Sequence, residues 1–447
     1  MGIFSYVSPL FYASAVLGCY RVFRIWYKRH TLRAETADVA SLLSTFNPDP
    51  LVPDTAFNQI IVYNSSSPTE AIINNKKLLN MANCDFLVLS RRKTVLDACA
   101  DSIDQYGIGS CGPRGFLGTM DIHLKLEARI AHHYNQSDSV LYPLGHAASS
   151  SVLQCFASRG DLIFIDEFCN TGLKTAAVLS RAELVYYKHN NIKNLRELVI
   201  THAVNFDISK FRIWIVIESI SRYDGTVCPV SQIIDLSRQF DCRILIDESL
   251  AVGIYGPQGR GLLYEKGFSI NDVDLFIGSL EYSFAGLGGF CLSKHSEALD
   301  HQRLAAQGYV FSASIPPFLA QSALSVLEIL SRETENLAEL KLKSNYLDEK
   351  LQSVLIGHGL LRVISERSLP IKSIVFIDSK VSKSQQEDFF SNVFNKLIDC
   401  GILTCLDNCF NESNQCPPSL KIIITRHHTY EMIDNVVDEL QGIISLS

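Results

Sequence analysis

The sequence is expected to fold as an α/β protein, with a large domain on a mainly parallel sheet and a smaller α+β unit after it. Three observations carry this expectation. Short apolar runs alternate with helix-spaced segments between residues 120 and 246. Some runs, above all Ile213 to Ile217, are apolar throughout, as strands covered on both faces must be. Acids follow the runs directly. Asp166, Glu218 and Asp247 fall just past predicted strand ends, where ligands gather in such sheets.

The elements follow in order. A small hairpin is expected from Ile60–Val62 and Lys77–Leu79, with Asn74 and Asn75 as its turn. Helical spacing covers Lys93–Tyr106 and Ile122–Tyr134. Strands are expected at 139–142, 161–165, 182–187, 213–217 and 243–246, and helices at 145–158, 192–199 and 230–240. An apolar run at 274–277 leads into a turn and a return strand at 290–292. One long helical region covers 319–355. Then come a strand at 373–377, a helix at 385–400, a strand at 420–424 and a closing helix at 430–444.

This order suggests four parts. Residues 1–30 are a membrane helix, and 31–75 a linker and approach segment interrupted by Pro48, Pro50 and Pro53. The large domain occupies 76–335 and the small one 336–447.

Composition narrows the function. At 447 residues and 47% hydrophobic the chain can bury a large core. A net charge of -7 and only short basic runs speak against a nucleic-acid partner. The 13 cysteines are scattered through apolar segments, as buried thiols in a reducing compartment are. Cys405, Cys409 and Cys416, near His427 and His428, match no common zinc spacing.

Residues 1–20 carry no charged side chain, and Arg21, Arg24, Lys28 and Arg29 follow at once. The length suits a bilayer span, and the basic flank puts the remainder on the cytosolic side. An interfacial helix, a signal peptide cleaved near Ala13–Ala15 and a buried core helix are the alternatives.

Two stretches need a special reason. Gly107, Gly109, Gly112, Gly115 and Gly118 crowd one loop, which must turn sharply or approach something closely. The GxGxxG within it follows a helix rather than a strand, so it is no dinucleotide fingerprint. Cys111 is either a packing residue or one lining a site, and Arg114 is either an anion ligand or a salt-bridge partner. The second stretch is Gly278 to Cys291, in which a side chain is aimed into a cleft between two strands. It contains no lysine.

The glycine loop from Asp247 to Gly261 and the run from Gly278 to Cys291 resemble, in order and spacing, the α-oxoamine synthases. These are fold-type I pyridoxal-phosphate enzymes that condense an amino acid with an acyl-CoA. Residues 106–127 and 300–317 resemble the first, non-catalytic subunits of the serine palmitoyltransferases. The resemblance implies a fold-type I large domain over roughly residues 60–440. It also marks four departures. Tyr282 stands where the Schiff-base lysine belongs, Asn170 and Leu250 where two histidines belong, and Lys421 where an arginine holds the substrate carboxylate. Asp247 keeps the position of the pyridinium partner, or is structural.

The resemblance then implies a heterodimer. A catalytic subunit would bind pyridoxal phosphate covalently, and this chain would lend residues across the interface. The candidates are Cys111, Arg114, Ser312 and Ser314. The substrates implied are L-serine and palmitoyl-CoA, in the endoplasmic reticulum membrane, and small regulatory membrane proteins are expected to meet the N-terminal helix. The alternatives are a scaffold without any active-site contribution, or a self-sufficient acyltransferase using another lysine such as Lys174 or Lys294.

Overall fold

The structure, a computed structural model, describes residues 20–24, 26–27, 67–73, 75–203, 206–207, 209–284, 286–377, 381–407 and 417–445. Residues 1–60 form one unit, of which 20–24 and 26–27 are helical, with Phe23 stacked at 6.0 Å from Trp26. Among the described residues no helix is long and apolar enough to cross a membrane. The expected span over residues 1–20 lies almost wholly outside them. Residues 61–447 form a second unit.

Fourteen strands are described in this second unit. They are β1 (Glu70–Ile73), β2 (Lys76–Asn80), β3 (Val140–Tyr142), β4 (Leu162–Asp166), β5 (Glu183–Tyr187), β6 (Ile213–Glu218) and β7 (Arg243–Asp247). Then follow β8 (Leu275–Ser279), β9 (Gly289–Leu292), β10 (Leu361–Val363), β11 (Ile371–Phe376), β12 (Ile402–Leu403), β13 (Cys405–Asp407) and β14 (Ser419–Ile423). Seven of them make the central sheet, ordered β3-β9-β8-β7-β6-β4-β5. Its β5, β4, β6, β7 and β8 run parallel, while β9 turns back against β8 and β3 pairs with β9 antiparallel.

Strand geometry explains the continuous apolar runs. Successive side chains point to opposite faces. In β6, Ile215 and Ile217 join one core cluster, and Trp214 and Val216 join the other. Both faces are covered, so neither set can be polar. Full burial of each such side chain contributes roughly 1.5–3 kcal/mol. The register also sets Glu218 directly opposite Asp247 at the carboxyl edge.

The four-stranded antiparallel sheet β10-β11-β14-β13 has its own core, with Leu351, Phe390, Ile422 and Val436 among its members. The small sheet β1-β2-β12 closes the assembly. The expected hairpin turn at Asn75 is present, with φ +61°, but the strand before it is Glu70–Ile73, and residues 60–62 lie outside the described residues. The helix expected over 145–158 ends at Ser151, and a 3-10 turn follows at Leu153–Cys155.

The single helix expected over 319–355 is two, Pro317–Arg332 and Glu335–His358. Glu333 leaves helical geometry between them and accepts a two-pronged bond from Arg92 at 2.6 and 2.5 Å. That fork, charge-assisted and specific in direction, accounts for the break.

Candidate functional site

At the carboxyl edge of β6, β7 and β8 a cleft of about 210 Å³ opens. Its walls include Asn170, Glu218, Asp247, Leu250, Glu281 and Tyr282. Four of the residues marked by sequence, Tyr282, Asn170, Leu250 and Asp247, therefore meet in one place. The fifth, Lys421, lies in an adjoining cleft of about 320 Å³, which shares Leu250, Tyr282, Arg222 and Tyr223 with the first.

Asn170 organises the floor. It caps the helix Thr171–Ser180, its side-chain oxygen accepting from the Leu173 N–H at 3.0 Å. Asparagine is among the favoured residues for that task. Its amide nitrogen donates to Glu218 at 2.8 Å and to Asp247 at 3.1 Å, and its backbone N–H donates to Glu218 at 3.0 Å. Ser149 donates to the same Asp247 oxygen at 2.7 Å, and the Ser249 N–H reaches the other at 2.9 Å. Both oxygens of Asp247 are thus engaged by the chain itself. Burial, with the neighbouring Asp247 charge, pushes the Glu218 carboxyl up to about 8, against the opposing pull of the Asn170 bonds.

Tyr282 stands at the turn between β8 and β9, close to a parallel stack with Phe86, the ring centres 6.4 Å apart. Burial pushes its phenol up to about 12. The residue before it was not singled out from sequence. Glu281 folds back, and its carboxylate accepts from the Gly145 N–H at 3.0 Å, at the first residue of the helix Gly145–Ser151. A helix start favours negative charge, and here the chain supplies that charge itself. Gly145 has no room for a side chain, because a Cβ there would lie 2.8 Å from Ser279 Oγ.

The lysines are occupied. Lys421 pairs with Asp407 and donates to the Arg222 carbonyl at 3.3 Å. Lys174 donates to the Glu167 carbonyl at 2.6 Å, and Lys294 meets Asp274 at 3.5 Å. Neither Lys174 nor Lys294 lines the two clefts. Among the described residues no group of three His, Cys, Asp or Glu could hold a metal ion, and Cys409 and Cys416 lie outside them.

His189, two residues past β5, joins Asp166 at the end of β4 to the turn that follows β6. Its Nδ1 meets Asp166 at 2.7 Å and its Nε2 meets Thr226 at 2.7 Å and Asp224 at 3.4 Å. Burial opposes the charged ring, yet the two carboxylates outweigh it and hold the imidazole up at about 10. Phe168 stacks on it at 4.6 Å.

The glycine loop lies against residues 307–314. Pro113 bridges to Ala313, the Ser314 N–H donates to the Gly112 carbonyl at 2.9 Å, and Ser110 donates to the Ser314 carbonyl at 3.2 Å. The close approach that the glycines imply is real. A Cβ on Gly118 would lie 1.9 Å from the Gly112 oxygen. Cys111 is exposed, with φ +56°. Ser314 is buried, its hydroxyl 3.2 Å from the Gly112 carbonyl, and Ser312 is half-buried.

Arg114 turns inward. Its side chain is 3% exposed and forks onto Glu127 at 3.1 and 2.8 Å, with Nε on Thr119 at 3.0 Å. Of the two possibilities open in the sequence, the structure has the salt bridge. Around the loop a patch of large apolar side chains stays exposed, with Leu117 at 89%, Phe311 at 82%, Ile108 at 75% and Phe116 at 72%.

Comparison with known proteins agrees with this architecture. The family model for aminotransferase class I and II matches residues 76–440, which defines the class of the fold and its cleft. "Serine palmitoyltransferase 1" of Dictyostelium discoideum is 33% identical over 90% of this chain and 86% of its own length. "Long chain base biosynthesis protein 1" of Arabidopsis thaliana is 30% identical over 91% and 85%. A solved serine palmitoyltransferase from S. paucimobilis, holding a PLP–myriocin aldimine, superposes with a TM-score of 0.77 at 21% identity, over 94% of this chain and 99% of that one. The chain belongs to the class I and II aminotransferase family and, within it, to the serine palmitoyltransferase 1 family.

Proposed function

We propose that the chain is the non-catalytic subunit of a heterodimeric serine palmitoyltransferase. With its catalytic partner it would support condensation of L-serine with palmitoyl-CoA to 3-oxosphinganine, CoA and carbon dioxide, the entry to sphingolipid synthesis. The observation that carries this proposal is the pair Glu281–Tyr282. The side chain at the turn offers a phenol, which cannot form an imine with an aldehyde, and the adjacent carboxylate occupies the helix start.

The residues present do not fit covalently bound pyridoxal phosphate in this chain. No lysine lines the cleft at the strand ends, Lys421 in the adjoining cleft is paired with Asp407, a dianionic phosphate near Gly145 would meet the Glu281 charge, and Asp247 is already engaged by Ser149 and Asn170. The cofactor would therefore be held by the partner subunit.

Support for a partner comes from the exposed patch around Leu117 and Phe311. An apolar surface of this kind marks an interaction site. We place the partner on this face, with exposed Cys111 and half-buried Ser312 beside it, and Arg114 and Ser314 fixing the loop from within. The membrane-anchored N-terminus, its docking of small regulatory membrane proteins and the endoplasmic reticulum location belong to the same proposal. Deleting residues 1–30 is expected to release the chain from membranes.

The deciding experiment is a visible spectrum of the purified chain with pyridoxal phosphate, before and after borohydride, alone and then with the catalytic partner. The chain alone should show no reducible aldimine, while the pair should show one and consume both substrates. A trapped lysine in the lone chain would sink the proposal. Substitutions at Cys111 that leave turnover and substrate choice untouched in an intact complex would instead favour a pure scaffold.

A further inference from the structure

Two thiols share one cleft. Cys84 follows β2, Cys405 opens β13, and both line the cleft of about 320 Å³ that also holds Lys421 and Tyr282. Both are free and half-buried, and both pack against the large core cluster.

The backbone explains why they meet. Met81 donates its N–H to the Leu403 carbonyl at 2.8 Å, and its own carbonyl accepts from the Ile423 N–H at 2.7 Å. Cys84 comes three residues after Met81, and Cys405 two residues after Leu403. The β13–β14 register sets Cys405 directly opposite Lys421. Alternate residues of a strand share a face, so Lys421 and Ile423 line the cleft together with Cys405, while Cys84 enters it from the segment after β2.

Charge links the two thiols as well. Burial pushes Cys84 up to about 11, the Cys405 charge pushes the same way, and Arg222 and Lys421 oppose them. Burial also raises Cys405, against the pull of Lys421. Such influence falls off with distance, so the two sulfurs are neighbours. The thiolate is the nucleophile. Both thiols therefore rest unreactive at neutral pH, and the one directly opposite the lysine ionises more readily.

We propose that Cys84 and Cys405 form a reversible disulfide when the chain meets hydrogen peroxide. The Cys405 thiolate attacks one peroxide oxygen. The O–O bond breaks, hydroxide leaves and takes up a proton, and the sulfur becomes a sulfenic acid. Cys84 loses its proton and attacks that sulfur. The S–S bond forms, the S–O bond breaks, and the second hydroxide leaves as water. Two thiols are oxidised and one peroxide is reduced to two waters; a thiol reductant restores both side chains by exchange. Phe86, two residues after Cys84, stacks on Tyr282, so the bond pins one wall of the cleft to the small-domain sheet.

The full-length chain, reduced and in detergent, is treated with hydrogen peroxide, blocked with iodoacetamide and digested without reductant. Mass spectrometry is expected to find two peptides joined through Cys84 and Cys405, and to lose them after dithiothreitol. Exposed Cys111 and Cys400 report that peroxide acted. In Cys84→Ser, dimedone should trap sulfenic acid on Cys405 at least about tenfold more than in the unaltered chain, because no resolving thiol remains. In Cys405→Ser, Cys84 should stay reduced. Thermal melts check that both variants fold. Oxidised Cys111 or Cys400 without the joined pair, Cys405 joined instead to Cys409 or Cys416, or trapping on Cys405 indifferent to Cys84→Ser would overturn the proposal.

Discussion

Arg114 and Glu127 exchange two hydrogen bonds in a nearly dry interior. Removing one partner of a buried pair leaves the other charge without compensation, at roughly 3–5 kcal/mol. Arg114→Ala is therefore expected to lower stability by about that much in urea unfolding, and a loss below about 1 kcal/mol would mean that water reaches Glu127 in the folded chain. Glu218 sets the opposite situation. Its folded pKa is raised from 4.5 to about 8, so the folded state binds more protons than the unfolded one across that window. Stability should fall as pH rises from 4.5 to about 8. Glu218→Gln should flatten that part of the pH profile; an unchanged slope in thermal melts would contradict it. At this scale the sequence was only partly legible. Tyr282, Asn170 and Leu250 are visible as residue types that break a pattern. Arg114 stayed open between two roles, because its partner lies on the next helix and nothing in the spacing says that the loop folds inward. Glu281 was missed because its role depends on Gly145, 136 residues earlier.

Periodicity made most elements readable, since the inner strands of the central sheet are buried on both faces, though the edge strand β5 is half-exposed, and each large-domain helix packs one face. What failed were the ends and breaks. The gap at Glu333 comes from Arg92, a contact across 241 positions, which no local window contains. The loop at 107–118 shows the reverse case, in which five glycines announce a close approach without naming the neighbour. Its outer surface carries the partner prediction. Leu117→Asp with Phe311→Asp should abolish co-purification with the catalytic subunit, with a thermal midpoint close to that of the unaltered chain. These side chains are already 89% and 82% exposed, so their loss opens no cavity in the fold. Retained co-purification would move the interface elsewhere.

The whole cleft, rather than any one side chain, decides what chemistry this chain supports. Tyr282→Lys alone is expected to stay free of a borohydride-stable adduct with pyridoxal phosphate, because Glu281 still holds the helix start and Asp247 remains bonded to Ser149 and Asn170. Mass spectrometry after reduction reads this directly, and a modified residue 282 would show that the missing amine was the sole obstacle.

The Glu281 contact also bears on descent. A carboxylate over Gly145 gives a loop that the chain's own hydrogen bond holds in place. A later lysine at 282 would arrive beside that acid and form an ion pair with it, a neutral exchange that selection for turnover could not see. Under the proposed function, regaining an independent site would require both neighbours to change together.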